Sequence, residues 1–184
     1  MTNLVLLNGP PASGKSTLAV EFVARRPLAL KLDIDIVRGL LGGWKHDWLA
    51  AGDQARRLAI AMAETHLGDG HDVIIPQFLA RPNFIDELAD TARRSGVRFV
   101  EVALIVSRAD ALSAFDLRSA TSTSSGHQDA HEMIERLGGS SALGAMFDEY
   151  ASLVNQRPSV RRVDVVLGDI AETMRRLERV VESD

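Results

Sequence analysis

The sequence predicts an α/β fold in which five parallel strands are covered by helices on both faces. Three observations carry that prediction. Five short apolar runs alternate with segments of helical spacing along the 184 residues. No two runs are joined by a two-residue hairpin turn, so each strand returns to the sheet through a longer crossover. The first run, Leu4-Val5-Leu6-Leu7, passes through a glycine-bounded loop into a helix-like stretch, Leu18 to Arg25.

The elements follow in order. The first strand is expected at about Leu4 to Asn8 and the first helix at about Lys15 to Arg25. Pro27 punctuates, and Leu28 to Leu32 reads as strand two, running into Asp33-Ile34-Asp35. Ile36 to Leu41 reads as a short helix closed by Gly42-Gly43. Trp44 to Gly52 is expected to be irregular or loosely helical. Regular helix is expected from Asp53 to about Leu67, with Leu58, Ala61, Met62 and Thr65 at helical spacing. Gly68 and Gly70 end it. Val73-Ile74-Ile75 is the third strand. Pro82 suits a first helical turn, Ile85, Leu88, Ala89 and Ala92 form the apolar face, and Gly96 stops that helix. Val97 to Val106 is the longest strand, followed by a helix from Ala109 to about Arg118. Ser119 to Gly126 is polar and of low complexity, and is expected to be a mobile part of a lid at about 119–140 in a single domain. Gln128 to Leu137 and Ser141 to Val154 read as helices split by Gly138-Gly139. Val163 to Leu167 is the last strand. Asp169 and Glu172 resemble an N-cap and its box partner, after which Ile170, Met174, Leu177 and Val181 face the core.

The hydrophobic share of 46% and charged share of 25% are those of a globular chain with a real core. A net charge of −4 weighs against a nucleic-acid binder that works by bulk charge. The absence of cysteine excludes disulfides and thiolate chemistry. No signal-peptide pattern opens the chain, and the longest clean apolar run, Val102 to Val106, is too short to span a bilayer. A cytoplasmic protein without membrane attachment is the expectation.

The loop after the first strand carries the strongest signal. Gly9-Pro10-Pro11-Ala12-Ser13-Gly14-Lys15-Ser16-Thr17 matches G-x-x-x-x-G-K-[ST] between a strand and a helix. Backbone N–H groups of such a loop form an anion cradle, and the following helix adds the positive end of its dipole. Lys15 can reach the β- and γ-phosphates of a nucleotide, and the Ser16 hydroxyl can ligate Mg²⁺. The chain shows neither the Asn-Lys-x-Asp nor the Asp-x-x-Gly motif of a GTPase switch. It also lacks the acidic strand end of a motor ATPase: strand three closes with Ile75-Pro76-Gln77 and strand four with Val106-Ser107.

Asp33-Ile34-Asp35 closes strand two. If the segment is extended, the two carboxylates face one side about 6–7 Å apart. One can then hold a Mg²⁺-bound water while the other orients or accepts an acceptor proton. If the segment bends into the next helix, the carboxylates diverge and one becomes an N-cap.

The arrangement resembles the small P-loop kinases grouped with chloramphenicol phosphotransferase, zeta toxin and shikimate kinase. The resemblance rests on the loop, Asp33-x-Asp35-x-x-Arg38, Val73 to Gln77 with Arg81-Pro82, and the helix ending in Arg118. It implies strand order 2-3-1-4-5, ATP and Mg²⁺, and transfer of the γ-phosphoryl group to a hydroxyl of a small molecule. It implies that Asp35 is the base, that Asp33 lies near the metal, and that Arg118 embraces the nucleotide phosphates or stacks on adenine. Relatives often carry a second lid arginine; Ser119 to Ser125 has none, and Arg136 is the nearest substitute. Gln77 stands where some relatives have aspartate, and can hydrogen-bond substrate or a metal-bound water.

Further residues join the candidate acceptor site. Arg38, one helical turn past Asp35, can pair with it, bind an anionic group, or lie exposed. Arg81 follows strand three. Trp44 and Trp48, the only tryptophans, stack on a substrate ring or pack down a small helix. His46 lies between them. His127 and His131 are four apart, a spacing that can hold Zn²⁺ but lacks a third ligand, so a lid tip or a solvated helix face is the better reading. Two other functions stay open: a nucleic-acid end kinase, and a nucleotide-binding regulator or slow ATPase without an acceptor.

Overall fold

The computed structural model describes residues 1–121 and 125–183, without the side chains of 120, 121, 125–127, 129 and 130. Five strands form one parallel sheet in the order β2-β3-β1-β4-β5. They are β1 (Asn3–Asn8), β2 (Leu30–Lys31), β3 (Val73–Gln77), β4 (Arg98–Ile105) and β5 (Arg161–Asp164). The helices are α1 (Lys15–Ala24), α2 (Ile34–Gly39), α3 (Trp48–Gly68), α4 (Pro82–Arg94), α5 (Arg108–Thr121), α6 (Ser125–Leu137), α7 (Ser140–Gln156) and α8 (Ile170–Glu182). The expected strand order and class are observed. No helix among the described residues is long and apolar enough to cross a membrane.

Alternation along β1 divides the core. Leu4 and Leu6 join Val73 and Ile75 under α3 and α4, while Val5 and Leu7 join Ile74, Val102 and Leu104 under α1 and α8. All nine side chains are fully buried, so neither face of β1 is left for solvent. Such a doubly covered strand reads as a continuous apolar run. On α8, Asp169 accepts from the Glu172 amide at 2.8 Å, the expected cap.

Several expected boundaries move, β2 shrinking from 28–32 to Leu30–Lys31 and α2 shifting from 36–41 to Ile34–Gly39. The helix α3 begins at Trp48, because Asp47 caps it by accepting from the Ala50 amide. The stretch from Trp48 to Gly52 is therefore regular helix. Its buried stripe is Ala51, Ala55, Ala59, Ala63 and Leu67, while Leu58 and Met62 are partly exposed. The last strand is Arg161–Asp164 rather than Val163 to Leu167. Its arginines hid it: Arg161 donates to the Val180 and Ser183 carbonyls and closes the end of α8. Helix α5 runs on to Thr121 and α6 starts at Ser125, so the low-complexity stretch is helical at both ends; 122–124 lie outside the described residues.

Two polar groups brace the middle of the sheet. Buried Glu101 on β4 accepts from Arg157 Nε at 2.9 Å with both oxygens, and Arg157 also donates to Asp86 at 3.1 Å. Buried Tyr150 on α7 donates to Leu104 O at 3.0 Å and lies 3.3 Å from Asn8 O. That hydroxyl joins the carboxyl ends of β1 and β4 just where the glycine-bounded loop departs.

Candidate active site

The carboxyl edge of β1 sets the loop. Asn8 is buried and brackets the next connection, donating to Leu79 O and accepting from Leu79 N, both at 2.9 Å. Gly9 then passes so close to Ser13 and Leu104 that a Cβ would lie 2.7 Å from Ser13 Oγ and 3.0 Å from Leu104 Cβ. Ser13 N donates to Pro10 O at 3.2 Å, curling the backbone back on itself. Gly14 caps α1 at φ 87°, a left-handed conformation that favours glycine. The first turn of α1 carries no acidic residue and no side-chain cap, so its amide end faces the loop's interior as an anion site.

Lys15 lies across this loop, donating from Nζ to Gly9 O and Pro10 O at 2.8 Å each. Burial pushes its ammonium down to about 7; Asp35 and Asp33 pull it back up, and Arg118 pushes it further down. Those charges reach Lys15 from two places, the β2–α2 junction and the last turn of α5. Asp33, Asp35 and Arg118 therefore lie within electrostatic reach of Lys15.

The carboxylates do not form an extended pair. Asp33 caps α2, accepting from the Asp35 amide at 3.1 Å, and Asp35 lies in the first turn. Of the two arrangements the sequence left open, the same-side pair is absent and the bent one, with Asp33 as N-cap, is observed. The reason is local: Ile34 and Val37 bury under α3, which winds the chain into helix at once.

Asp35 faces Arg38, whose Nη1 is 3.0 Å from its Oδ1. The Arg38 guanidinium lies over Trp48 and Trp44, at 4.2 and 5.0 Å from the ring centres. The two rings are themselves 4.9 Å apart. The tryptophans thus pack on each other and clamp the arginine; His46 is exposed beside them. Arg81 is exposed at the N-cap of α4 and opens on a hollow of about 290 Å³ lined with Glu149, Ser152 and Gln156 of α7. Arg136 pairs with Glu132 on its own helix, not with the loop. Among the described residues no three metal-ligating side chains cluster; the His127 side chain lies outside them.

Among the described residues, four buried side-chain polar atoms lack a hydrogen-bond partner: Ser13 Oγ, Arg38 Nε, Gln77 Oε1 and His131 Nδ1. Gln77 ends β3 directly beside Asn8 in the parallel register. Native proteins rarely leave such groups unpaired, and here they sit on the loop, on α2, on the neighbouring strand end and on α6. Asn8 and Tyr150 were not read from the sequence as parts of this region, and His131 only as a lid tip or a solvated helix face. An asparagine closing an apolar run and the lone tyrosine of the chain are the signals that could have marked the first two.

A family model described as AAA domain matches residues 4–137. The chain belongs to this AAA-domain family. The AAA-domain match takes in the loop, Asp35, Arg38, Gln77 and Arg118, and ends with α6. No curated protein matches the chain. Solved structures share the fold at low identity. A gluconokinase from Sinorhizobium meliloti 1021 aligns with TM-score 0.60 and 17% identity over 98% of this chain and 94% of its own. The Deinococcus radiodurans tunicamycin resistance protein aligns with TM-score 0.62 and 13% identity over 100% and 98%. A chain of the Pnkp1/Rnl/Hen1 RNA repair complex aligns with TM-score 0.66 and 16% identity over 86% of this chain but 47% of that one. The fold of this AAA-domain protein resembles that of the small P-loop kinases.

Proposed function

We propose that the chain is an ATP-dependent phosphotransferase that moves the γ-phosphoryl group to a hydroxyl of a small molecule. The observation that carries this reading is Lys15 lying across the glycine-bounded loop, its Nζ 2.8 Å from Gly9 O and Pro10 O, with Asp33, Asp35 and Arg118 in electrostatic reach of it. Two cations suit the donor phosphates, and a half-exposed carboxylate suits an incoming alcohol. The residues fit Mg²⁺ as well: Ser16 lies in the first turn of α1, and the Asp33 carboxylate has an oxygen beyond the one its cap uses. When bound, Mg²⁺ would supply charge neutralisation of the phosphates.

In this reading the loop amides and Lys15 hold the β- and γ-phosphates. Asp35 accepts the proton of the acceptor hydroxyl. Arg118 stabilises the transferring group's oxygens. Arg38, Trp44, Gln77 and Arg81 contact the acceptor. Positioning and charge compensation supply most of the rate. The gluconokinase and the tunicamycin resistance protein that share the fold support a small acceptor.

The test is ATP turnover with and without a panel of hydroxylated metabolites and antibiotics. Stimulation by one acceptor, with its phosphorylated product and loss in Lys15→Ala, is the expected result. Turnover that no acceptor stimulates would favour a regulator or slow ATPase.

A second reading is a nucleic-acid end kinase. The arginine beside Asp35, clamped by two tryptophans, offers a phosphate contact and stacking surface. Likeness to a chain of an RNA repair complex adds to it. The net charge of −4 weighs against it. Labelling of a 5′-hydroxyl oligonucleotide separates the two.

A further inference from the structure

His131 has no part in the reading above, yet its surroundings place it over the loop. Its ring is 6.0 Å from that of Phe115 on α5. Phe115 is buried with Ile134 and Leu143, and Ala12 of the phosphate loop packs against that cluster. Ile134 follows His131 by three residues, so both lie on the face of α6 turned toward the loop. Arg118 follows Phe115 by three on α5, again on a shared face. The neighbouring Glu132 reaches the other way, to Lys45 between α2 and α3 at 3.8 Å. Helix α6 is therefore tied through Glu132 to the segment between α2 and α3 and through Ile134 to the cluster that holds Ala12, with the His131 ring beside that cluster.

The polar atom there is unsatisfied: His131 Nδ1 is buried and has no partner. A packing histidine ordinarily finds one. The surroundings supply two further facts. Ser119 to Ser125 contains no arginine or lysine, and Arg136 is held by Glu132. Among the described residues this region thus offers Arg118 and an imidazole nitrogen with no hydrogen-bond partner.

We propose that His131 is a phosphate-binding residue, donating from Nδ1 to a non-bridging oxygen of the donor triphosphate beside Arg118. A phosphate oxygen accepts only, and Nδ1–H donates in one neutral tautomer as well as in the imidazolium form. The inference rests on the reading that the loop holds a nucleoside triphosphate.

The test uses the whole chain with MgADP and MgATPγS. Calorimetry compares the wild type with His131→Leu and His131→Asn, and ¹⁵N NMR follows the histidine rings of the wild type. His131→Leu keeps an apolar filling beside Phe115, so it is expected to melt near the wild type yet bind MgATPγS about tenfold more weakly, the scale of one charge-assisted hydrogen bond. His131→Asn should recover part of that loss. The His131 ring signal should move when nucleotide is added. Binding within twofold of the wild type in a folded His131→Leu, or a ring signal that nucleotide leaves in place, overturns the proposal. If His131→Leu does not fold, His131→Asn and the ring signal decide in the same way. A wild type that binds neither nucleotide overturns the donor reading and this proposal together; a wild type that binds both while the variants match it overturns this proposal alone.

Discussion

Arg38 Nη1 stands 3.0 Å from Asp35 Oδ1, one helical turn away, with its guanidinium held against two indole rings. Asp35 is about half exposed in this pair, so the contact adds little to stability. Its value is direction, because the tryptophans fix the arginine and the arginine fixes the carboxylate. We expect Arg38→Met to lower kcat by at least about tenfold while the melting temperature stays near that of the wild type. Arg38→Lys should recover only part, since the planar fork and its stacking are lost. Steady-state kinetics beside a thermal melt check both.

Asp35→Asn keeps the size of the side chain and removes its basicity. Nucleotide affinity should change little, and transfer should fall by about a hundredfold or more, the scale of general-base catalysis. Calorimetry with MgADP and single-turnover transfer measure the two separately. Unchanged transfer would remove Asp35 from the mechanism.

Lys15 links binding to protons. Burial, opposed by Asp35 and Asp33 and aided by Arg118, holds its ammonium at about 7. Phosphate oxygens placed beside it favour the charged form and raise that value. At about pH 8 the free protein then holds Lys15 mostly neutral and the nucleotide complex holds it charged. MgADP binding should take up close to one proton per site, and affinity should fall as pH rises beyond about 7. Calorimetry in buffers of different ionisation heat reads the uptake; none at about pH 8 contradicts the assignment.

Arg157→Met strands Glu101 in the sheet. Removing one partner of a buried ion pair costs about 3–5 kcal/mol. Burial already holds the Glu101 carboxyl above its ordinary range, against the pull of Arg157. Without the arginine it rises further. A carboxyl with a raised folded-state value keeps its proton more tightly when folded, so stability is greatest in acid and is lost as pH climbs through that value. Urea denaturation should show a larger loss at about pH 8 than at about pH 5. Adding Glu101→Gln should restore much of it.

The phosphate loop and the parallel strands were legible because their requirements are local and strict, whereas the order of the strands came only with the family resemblance. Gly9, Gly14 and Lys15 have few substitutes in that geometry, and buried parallel strands announce themselves as apolar runs. The Asp169 cap of α8 was equally plain. The start of α3 was not, because Gly52 and two tryptophans masked a helix that Asp47 had already capped. The bend at Asp33 depended on Ile34 and Val37 finding α3, a contact between distant segments. Arg161 disguised β5 because its charge serves the end of α8. Likewise, nothing in the spacing of His131 showed that its ring would lie under α5 beside Phe115.

The order of the sheet separates two workshops. Everything assigned to the acceptor except Arg81 and Gln77 lies in one excursion, residues 33–48, between β2 and β3. The donor loop and Arg118 are reached by other crossovers. On the proposed reading that excursion mixes acceptor contacts with Asp33, Asp35 and the arginine that directs Asp35, so a change of alcohol would have to leave those three in place. A library confined to Gly39 through His46 is then the economical place to retrain this scaffold, and Lys45, tied to Glu132, marks where that segment is latched to the rest.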